Sequence, residues 1–197
     1  MDPMSSPEPR GAGGAGPLAS PSLRAVASEA IEFRLREGRE PETDLSLYPP
    51  RLHEPGATFV TLRRHDALRG CTGSLQATRP LVADVVHNAC RSAFGDPRFA
   101  PLSEPEFVDL AISVSLLSPL EPLDVVSERG LLEALRPGVD GLVLSDGGAR
   151  ATFLPSVWES LPEPQAFLDA LRRKAGLPPT HWSTTIRFER YTVTDAP

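Results

Sequence analysis

The chain has 197 residues, of which 40% are apolar, and a formal net charge of −6 at pH 7. This length suffices for one domain with a sizeable core, and no apolar run approaches the roughly 20 residues that a membrane helix needs. The negative charge argues against broad, non-specific binding to DNA or RNA. Because two cysteines make no disulfide framework and the N-terminus carries no signal-peptide pattern, we expect a cytoplasmic protein with free thiols.

The chain begins with a Pro-, Gly- and Ser-rich stretch, residues 1–20, that contains almost no large apolar side chain. Such a segment cannot bury enough surface to offset its ordering entropy, so a disordered tail is predicted. A single domain is predicted over residues 21–194. Its first helix is expected to be capped near Ser20 and to run to about Gly38, because apolar residues recur at helical spacing between them.

The next segments predict a β-hairpin followed by a helix. Residues 57–64 are rich in β-branched side chains and are typical of a strand, residues 65–67 form a turn, and residues 69–75 form the returning strand. Pro80 can begin a second helix, whose apolar stripe includes Cys90.

The rest of the chain mixes strands and helices. Ser145-Asp146-Gly147-Gly148 is a strong hairpin turn between two short apolar runs. Because hairpins imply antiparallel pairing, the predicted class is α+β with mainly antiparallel sheets. The predicted elements are a strand at 110–116, a short helix at 130–135, the hairpin strands at 142–144 and 151–154, a helix at 164–175 and a last strand at 186–193.

The most distinctive stretch is residues 68–73, which read Leu-Arg-Gly-Cys-Thr-Gly. Glycine leaves space beside the main chain, so we expect Arg69 and Cys71, framed by Gly70 and Gly73, to be presented to a ligand. In a regular strand these two side chains would lie on the same side of the sheet. The guanidinium would there favour the thiolate form of the cysteine.

Cys71 is therefore a candidate nucleophile, whose chemistry would need a general base. The spacing of the histidines selects none of them for that role. The alternative is that Cys71 is a small, half-buried residue that fills space beside the glycines. The candidate bases are His53, His65, His87 and His181.

Four further residues are candidate site residues, each with a structural alternative. His87 and Asn88 lie just off the apolar stripe of the second helix, at an edge that is either a cleft wall or a helix boundary. Asp96 and Arg98 either pair with each other or with Arg69, or bind a substrate carboxylate or phosphate. The cysteines and histidines show no metal-ligand spacing and no nucleotide-binding motif is present, so neither a metal nor another cofactor is predicted.

In order along the chain, these motifs resemble the AMMECR domain family, whose prokaryotic members are called AmmeMemoRadiSam system protein A. The similarity covers roughly residues 22–193. It is carried by Phe59-Val60-Thr61-Leu62, residues 68–73, Asn88-Ala89, residues 94–99, Val114-Ser115-Leu116-Leu117-Ser118, Pro137-Gly138-Val139-Asp140-Gly141, residues 151–155, Val157-Trp158 and Arg173-Lys174-Ala175-Gly176-Leu177.

The resemblance implies a two-lobed fold, with a larger lobe built from both chain ends around an antiparallel sheet and a smaller lobe from a middle segment. It also implies that the family motif Leu-Arg-Gly-Cys-Ile-Gly lies in the cleft between the lobes. Thr72 stands where the family usually has Ile, and Asp66 stands where it often has Gly.

The resemblance further implies a pathway shared with Memo-type and radical SAM proteins, with RNA modification as a proposed role. The favoured hypothesis is an enzyme or enzyme component that acts on a large substrate, RNA or protein, with Cys71 as the catalytic residue. The alternative is a non-catalytic protein-binding module or scaffold that uses the same cleft. The expected cleft residues are Arg69, Gly70, Thr72, Gly73, His87, Asn88, Asp96 and Arg98, and Arg63, Arg64 and Arg69 are the expected phosphate contacts.

Overall fold

The computed structural model describes residues 21–196, so the tail predicted for residues 1–20 lies outside the described residues. The first helix begins two residues later than predicted, because the hydroxyl of Ser22 caps it by accepting a hydrogen bond from the Ala25 amide. It ends at Gly38, whose φ of 72° is left-handed. The described helices are α1 (Leu23–Glu37), α2 (Leu81–Phe94), α3 (Glu104–Phe107), α4 (Glu128–Ala134) and α5 (Pro164–Lys174).

The strands of the described residues form antiparallel sheets with the orders β1-β4, β10-β5-β2-β3 and β6-β9-β7-β8. The predicted α+β class with antiparallel sheets is confirmed. The strands are β1 (Pro55–Gly56), β2 (Thr58–Arg64), β3 (Ala67–Gly73), β4 (Arg79–Pro80), β5 (Leu110–Leu117), β6 (Glu121–Pro122), β7 (Gly141–Asp146), β8 (Ala149–Phe153), β9 (Arg187–Tyr191) and β10 (Val193–Asp195).

Both predicted hairpins are confirmed, and their turns explain why. His65 and Asp66 have φ of 49° and 62°, the left-handed conformation that two-residue hairpin turns require. Aspartate is among the side chains that tolerate this conformation, so Asp66 can replace the usual glycine. Gly147, with φ of 58°, does the same between β7 and β8.

The two larger sheets belong to two lobes with separate hydrophobic cores. In the first lobe, α1 and α2 cover one face of the sheet β10-β5-β2-β3, and Ile31, Val60 and Ala89 are fully buried between them. In the second lobe, α4 and α5 pack against the sheet β6-β9-β7-β8. Its core includes Trp158 stacked on Phe167, with ring centroids 3.8 Å apart.

The chain crosses between the lobes twice at one place. It leaves the first sheet after β5 and returns between β9 and β10, where the Ser118 amide donates to the Thr192 carbonyl and the Ser118 hydroxyl accepts from the Thr192 amide, each at 3.0 Å. The single strand predicted over 186–193 is therefore wrong, because Thr192 divides it between two sheets. The limits 21–194 stay a prediction. In the described part of the chain, no helix has the length and hydrophobicity that crossing a membrane requires.

Candidate functional site

The two glycines of the motif allow close packing around β3. A Cβ atom at Gly70 would lie 2.1 Å from the carbonyl oxygen of Ser92 in α2, and one at Gly73 would lie 2.3 Å from the ring of Phe59. Gly70 thus lets the strand approach the helix backbone, and Gly73 lets an aromatic ring cover the strand. Both glycines therefore shape the wall around Cys71 without offering a functional group.

β3 contains a β-bulge at Arg69, two residues before Cys71. The register between β2 and β3 shifts so that Leu62 faces Gly70 while Arg63 faces Leu68, which leaves Arg69 as an extra residue in the described sheet. Simple alternation along the strand therefore does not relate the side chains of Arg69 and Cys71. The Arg69 guanidinium instead binds Glu106, with Nε–Oε1 at 2.8 Å and Nη2–Oε2 at 3.1 Å, and donates to the Ala100 carbonyl.

The contact between Arg69 and Glu106 is expected to weaken in acid. Because Arg69 and Ser103 donate to this carboxylate, the pKa of Glu106 falls from 4.5 to about 2 on folding. A carboxylate whose pKa is lowered on folding stabilises the protein at pH values above its unfolded pKa. This stabilisation is lost as the pH falls through the folded pKa, here between pH values of about 4.5 and 2. Urea unfolding at several pH values in this window measures the effect. The free energy of unfolding should fall less steeply with decreasing pH for Glu106→Gln, which preserves the helix cap, than for wild type.

The matched control is Glu104→Gln, which changes an exposed carboxylate on the same helix. We expect this variant to lose stability with falling pH as steeply as wild type does. Equal slopes for the Glu106 variant and wild type would contradict the assignment of the acid-sensitive contact to Glu106.

Asp96 and Arg98 form a pair at the outer edge of β3. Arg98 donates through Nε to Oδ1 at 2.9 Å and through Nη2 to Oδ2 at 2.6 Å of Asp96. The Asp96 carboxylate accepts from the Cys71 amide at 3.0 Å, and Arg98 donates to the Cys71 carbonyl at 3.3 Å. These bonds to Arg98 and to backbone amides hold the pKa of Asp96 well below its usual range. Of the alternatives left open by the sequence, the structure shows Asp96 and Arg98 paired with each other.

Thr72, His87 and Asn88 are placed mainly by contacts with their neighbours in the first lobe. The Thr72 hydroxyl lies 2.9 Å from the Ser92 hydroxyl and donates to the Asn88 carbonyl at 3.3 Å, contacts that an isoleucine cannot make. The Asn88 amide group is buried and donates to Thr58, Ser74 and Asp84. His87 contacts Glu40 through Nδ1 at 3.3 Å. Asn88 is therefore a buried structural residue, and neither it nor His87 reaches the Cys71 thiol.

Cys71 lies at a groove between the two lobes. The part of the groove beside Cys71 has a volume of about 580 Å³, and we call it the thiol half. β2 and β3 form one wall, and β8, the short 3-10 helix Pro155–Glu159 and the end of α5 form the other. Within residues 21–196 the thiol makes one hydrogen bond, as acceptor from the Thr61 hydroxyl at 3.4 Å. The histidines bind elsewhere, since His53 contacts the Tyr48 carbonyl, His65 Asp109, His87 Glu40 and His181 Asp146.

Lys174 also lines this groove, although its sequence context did not predict a catalytic role. It is the only lysine of the chain, and its ammonium group donates to the Thr152 carbonyl at 2.9 Å and lies 5.1 Å from the Phe153 ring centroid. Although the side chain is exposed, partial burial of the amine lowers its pKa, Arg98 lowers it further, and Cys71 opposes both. Its position in the motif 173–177 is the signal that would have identified it.

Leu154 and Ser156 also line a second space of about 530 Å³, which we call the acidic half. This half is lined by Glu159 and Asp195, and Ser115 donates to the Asp195 carboxylate at 3.1 Å. In the described residues, no three His, Cys, Asp or Glu side chains are close enough together to hold a metal ion.

The two cysteines should differ sharply in reactivity. Cys90 is fully buried, and burial raises the pKa of its thiol to about 11, whereas Cys71 is only half-buried beside the groove. Treating the native protein with iodoacetamide should modify Cys71 alone, as peptide mass spectrometry would show, and Cys90 should react only after denaturation. Modification of Cys90 before Cys71 would contradict this placement.

Comparison with known proteins identifies the family. Residues 24–196 match the AMMECR1 family model. A protein of Methanothermobacter thermautotrophicus is 37% identical over 163 residues, which cover 80% of this chain and 82% of that protein. One from Thermotoga maritima is 34% identical over 85% of this chain and 92% of its own length. The crystal structure of the uncharacterised protein PH0010 from Pyrococcus horikoshii superposes with a TM-score of 0.82 at 34% identity and covers 88% of each chain. The chain therefore belongs to the AMMECR1 family.

Proposed function

We propose that this chain binds a segment of a large substrate or partner in the groove between its lobes, as one component of a pathway with Memo-type and radical SAM proteins. The observation that carries the proposal is that Cys71 lies at a groove of about 580 Å³ whose walls come from both lobes. Clefts between lobes are preferred places for ligands, because they bury more ligand surface than a flat face does. The Memo-type and radical SAM partners and the cytoplasmic location are expectations from the sequence and its resemblance, and they stay predictions.

The contacts of the thiol favour binding over catalysis by Cys71. Within residues 21–196 the sulfur accepts one hydrogen bond, from Thr61, and a hydroxyl that donates to a thiol is not acting as its general base. The Asp96 carboxylate binds the amide of Cys71 and is neutralised by Arg98. In this proposal Cys71 is a small contact residue of the groove.

A thiol enzyme is the second candidate, and Lys174 is the observation that favours it. Its lowered pKa makes the neutral amine, the form that can act as a general base, more accessible. RNA modification belongs to this candidate. Of the three expected phosphate contacts, Arg63 lines the groove, whereas Arg64 lies 3.8 Å from Asp109 and Arg69 binds Glu106.

Two changes at Cys71 separate these candidates, with the purified Memo-type protein of the same organism as the binding probe. Cys71→Ser preserves the shape of the groove, and a biotin-maleimide label attached to native Cys71 fills it after folding is complete. We expect the serine variant to bind the probe like wild type and the labelled protein to bind about tenfold more weakly or worse, because the label occupies the groove.

The outcomes have distinct meanings. Probe binding that the label does not affect would place the partner outside the groove and contradict the proposal. If the Cys71→Ser variant keeps its near-UV circular dichroism but loses binding or pathway activity, the thiol itself is required and the second candidate is correct. The same label applied to the native Cys71→Ser variant controls for modification of Cys90.

A further inference from the structure

The two halves of the groove differ in charge. The thiol half is lined by Arg63, Arg98 and Lys174, and the acidic half by Glu159 and Asp195. We propose that the occupant is an extended polypeptide segment that places an acidic group in the thiol half and a basic group in the acidic half. This inference rests on the proposed function, since it names the chemical class of the segment that the groove binds.

These charges are available to a ligand. Arg63 donates to the Asp66 carbonyl and Lys174 to the Thr152 carbonyl, and within residues 21–196 neither cation forms an ion pair. Glu159 and Asp195 are exposed and likewise form no ion pair within those residues. Arg98 is different, because Asp96 neutralises it. The thiol half therefore offers two uncompensated positive charges and the acidic half two uncompensated negative charges.

The separation of the halves suits a short stretch of extended chain. Arg63 on β2 lies two inter-strand spacings of about 4.8 Å from Asp195 on β10. Arg63 pairs with Ala111 and Asp195 with Ser115, so the two are also offset by four residues along β5, and their separation is roughly 17 Å in all. An extended polypeptide covers this distance with about four to five residues, because it spans 3.3–3.6 Å per residue. Leu154 and Ser156 line both halves, and the thiol half also contains the uncharged side chains of Phe59, Thr61 and Val157. Thr61 and Ser156 can hydrogen-bond a peptide main chain, and Phe59, Leu154 and Val157 can contact its apolar side chains.

The acidic half argues against a nucleic acid as occupant. A single-stranded RNA carries a negative charge at every nucleotide, so a strand that follows the groove would bring phosphates against Glu159 and Asp195. Like charges brought together in an interface are strongly unfavourable, whereas a dipolar peptide is complementary to both ends. The net charge of −6 adds to this discrimination.

The test measures fluorescence anisotropy of labelled peptides of about eight residues on the full chain, with one Asp and one Lys either adjacent or about four positions apart. We expect the spaced peptides to bind more tightly. Lys174→Gln and Asp195→Asn should each weaken binding of the spaced peptides about three- to fivefold, the upper part of the range for a single exposed ion pair. The controls are Arg173→Gln, an exposed neighbour on α5, and Asp109→Asn, an exposed carboxylate outside the groove, and both should bind like wild type.

A charge reversal sharpens the test. Asp195→Lys should shift the preference from a dipolar peptide to one with Asp at both positions, an effect that general loss of stability would not produce. Equal binding of spaced and adjacent peptides, or the absence of binding by any of them, would overturn the inference.

A uridine decamer tests the other class of occupant. The result that favours RNA is binding of the decamer that is abolished by the maleimide label on Cys71 and strengthened by Asp195→Asn. The groove would then remain the binding site, but its occupant would be RNA and not a peptide. Charge-dependent peptide binding that the label does not affect would place the peptide outside the thiol half and contradict the proposed function instead.

Discussion

Replacing Asp84 by alanine is expected to lower the free energy of unfolding by about 3–5 kcal/mol, because it removes a buried carboxylate that accepts several hydrogen bonds. The Asp84 side chain is fully buried in α2 and accepts from the Thr58 amide at 2.9 Å, the Thr58 hydroxyl at 2.8 Å and the Ser74 hydroxyl at 2.7 Å. It also accepts from the Asn88 amide group at 2.9 Å. The alanine variant would leave the Thr58 amide and hydroxyl buried without this acceptor, and each lost partner costs about 1–3 kcal/mol.

Urea unfolding monitored by circular dichroism measures this loss. Asp84→Asn retains an acceptor oxygen but presents an NH2 group to a cluster of donors, so we expect an intermediate loss. Glu133→Ala is the control, because Glu133 forms an exposed pair with Arg129 and its removal should change stability by about 0.5 kcal/mol or less. A loss below about 1 kcal/mol for the alanine variant would show that the donors find water or other partners.

Replacing Gly70 by alanine is expected to destabilise the protein by about 3 kcal/mol, the upper part of the range for overpacking a well-packed core. The added Cβ would lie 2.1 Å from the Ser92 carbonyl oxygen. This neighbour is helix backbone, so it cannot move away by changing a rotamer. The strand that carries Cys71 would have to separate from α2, and the Thr72 amide would lose its hydrogen bond to the Ser92 hydroxyl at 2.9 Å.

Thermal and urea unfolding of Gly70→Ala and Gly148→Ala provide the matched comparison. Gly148 lies in the turn between β7 and β8, where an added Cβ meets nothing within 4 Å, and we expect a change of about 0.5 kcal/mol or less. Equal losses for the two variants would mean that the close approach of β3 to α2 does not constrain residue 70.

Local patterns predicted the elements whose signals lie within a few residues. The apolar stripe of α2 and the hairpin turn at Gly147 were recognised because helical spacing and turn residues act over short distances. The break of the last strand at Thr192 escaped this reasoning, since the apolar alternation continues across it. Only pairing with β5 on one side and with β6 and β7 on the other divides that segment.

The candidate site shows the same limit at the level of side chains. Residues 68–73 were identified from the sequence because glycines beside an arginine and a cysteine are uncommon and informative. The bulge at Arg69 depends on the register with β2, which a single strand does not contain. Asn88 was expected at a cleft wall, whereas its amide group is buried against Thr58 and Asp84, because packing of α2 on the sheet decides which edge of the helix is covered.

The sequence by itself determined the α+β class, the hairpins, the family resemblance and Cys71 as the residue to examine, since each depends on local composition or on motifs in order. Only the tertiary structure decided what surrounds that thiol. Lys174 lines the groove from the second lobe and Asp195 lines it from the last strand. Arg69 binds Glu106 and not the Cys71 thiol. These residues lie far apart along the chain, and their proximity follows from how two separately packed sheets face each other.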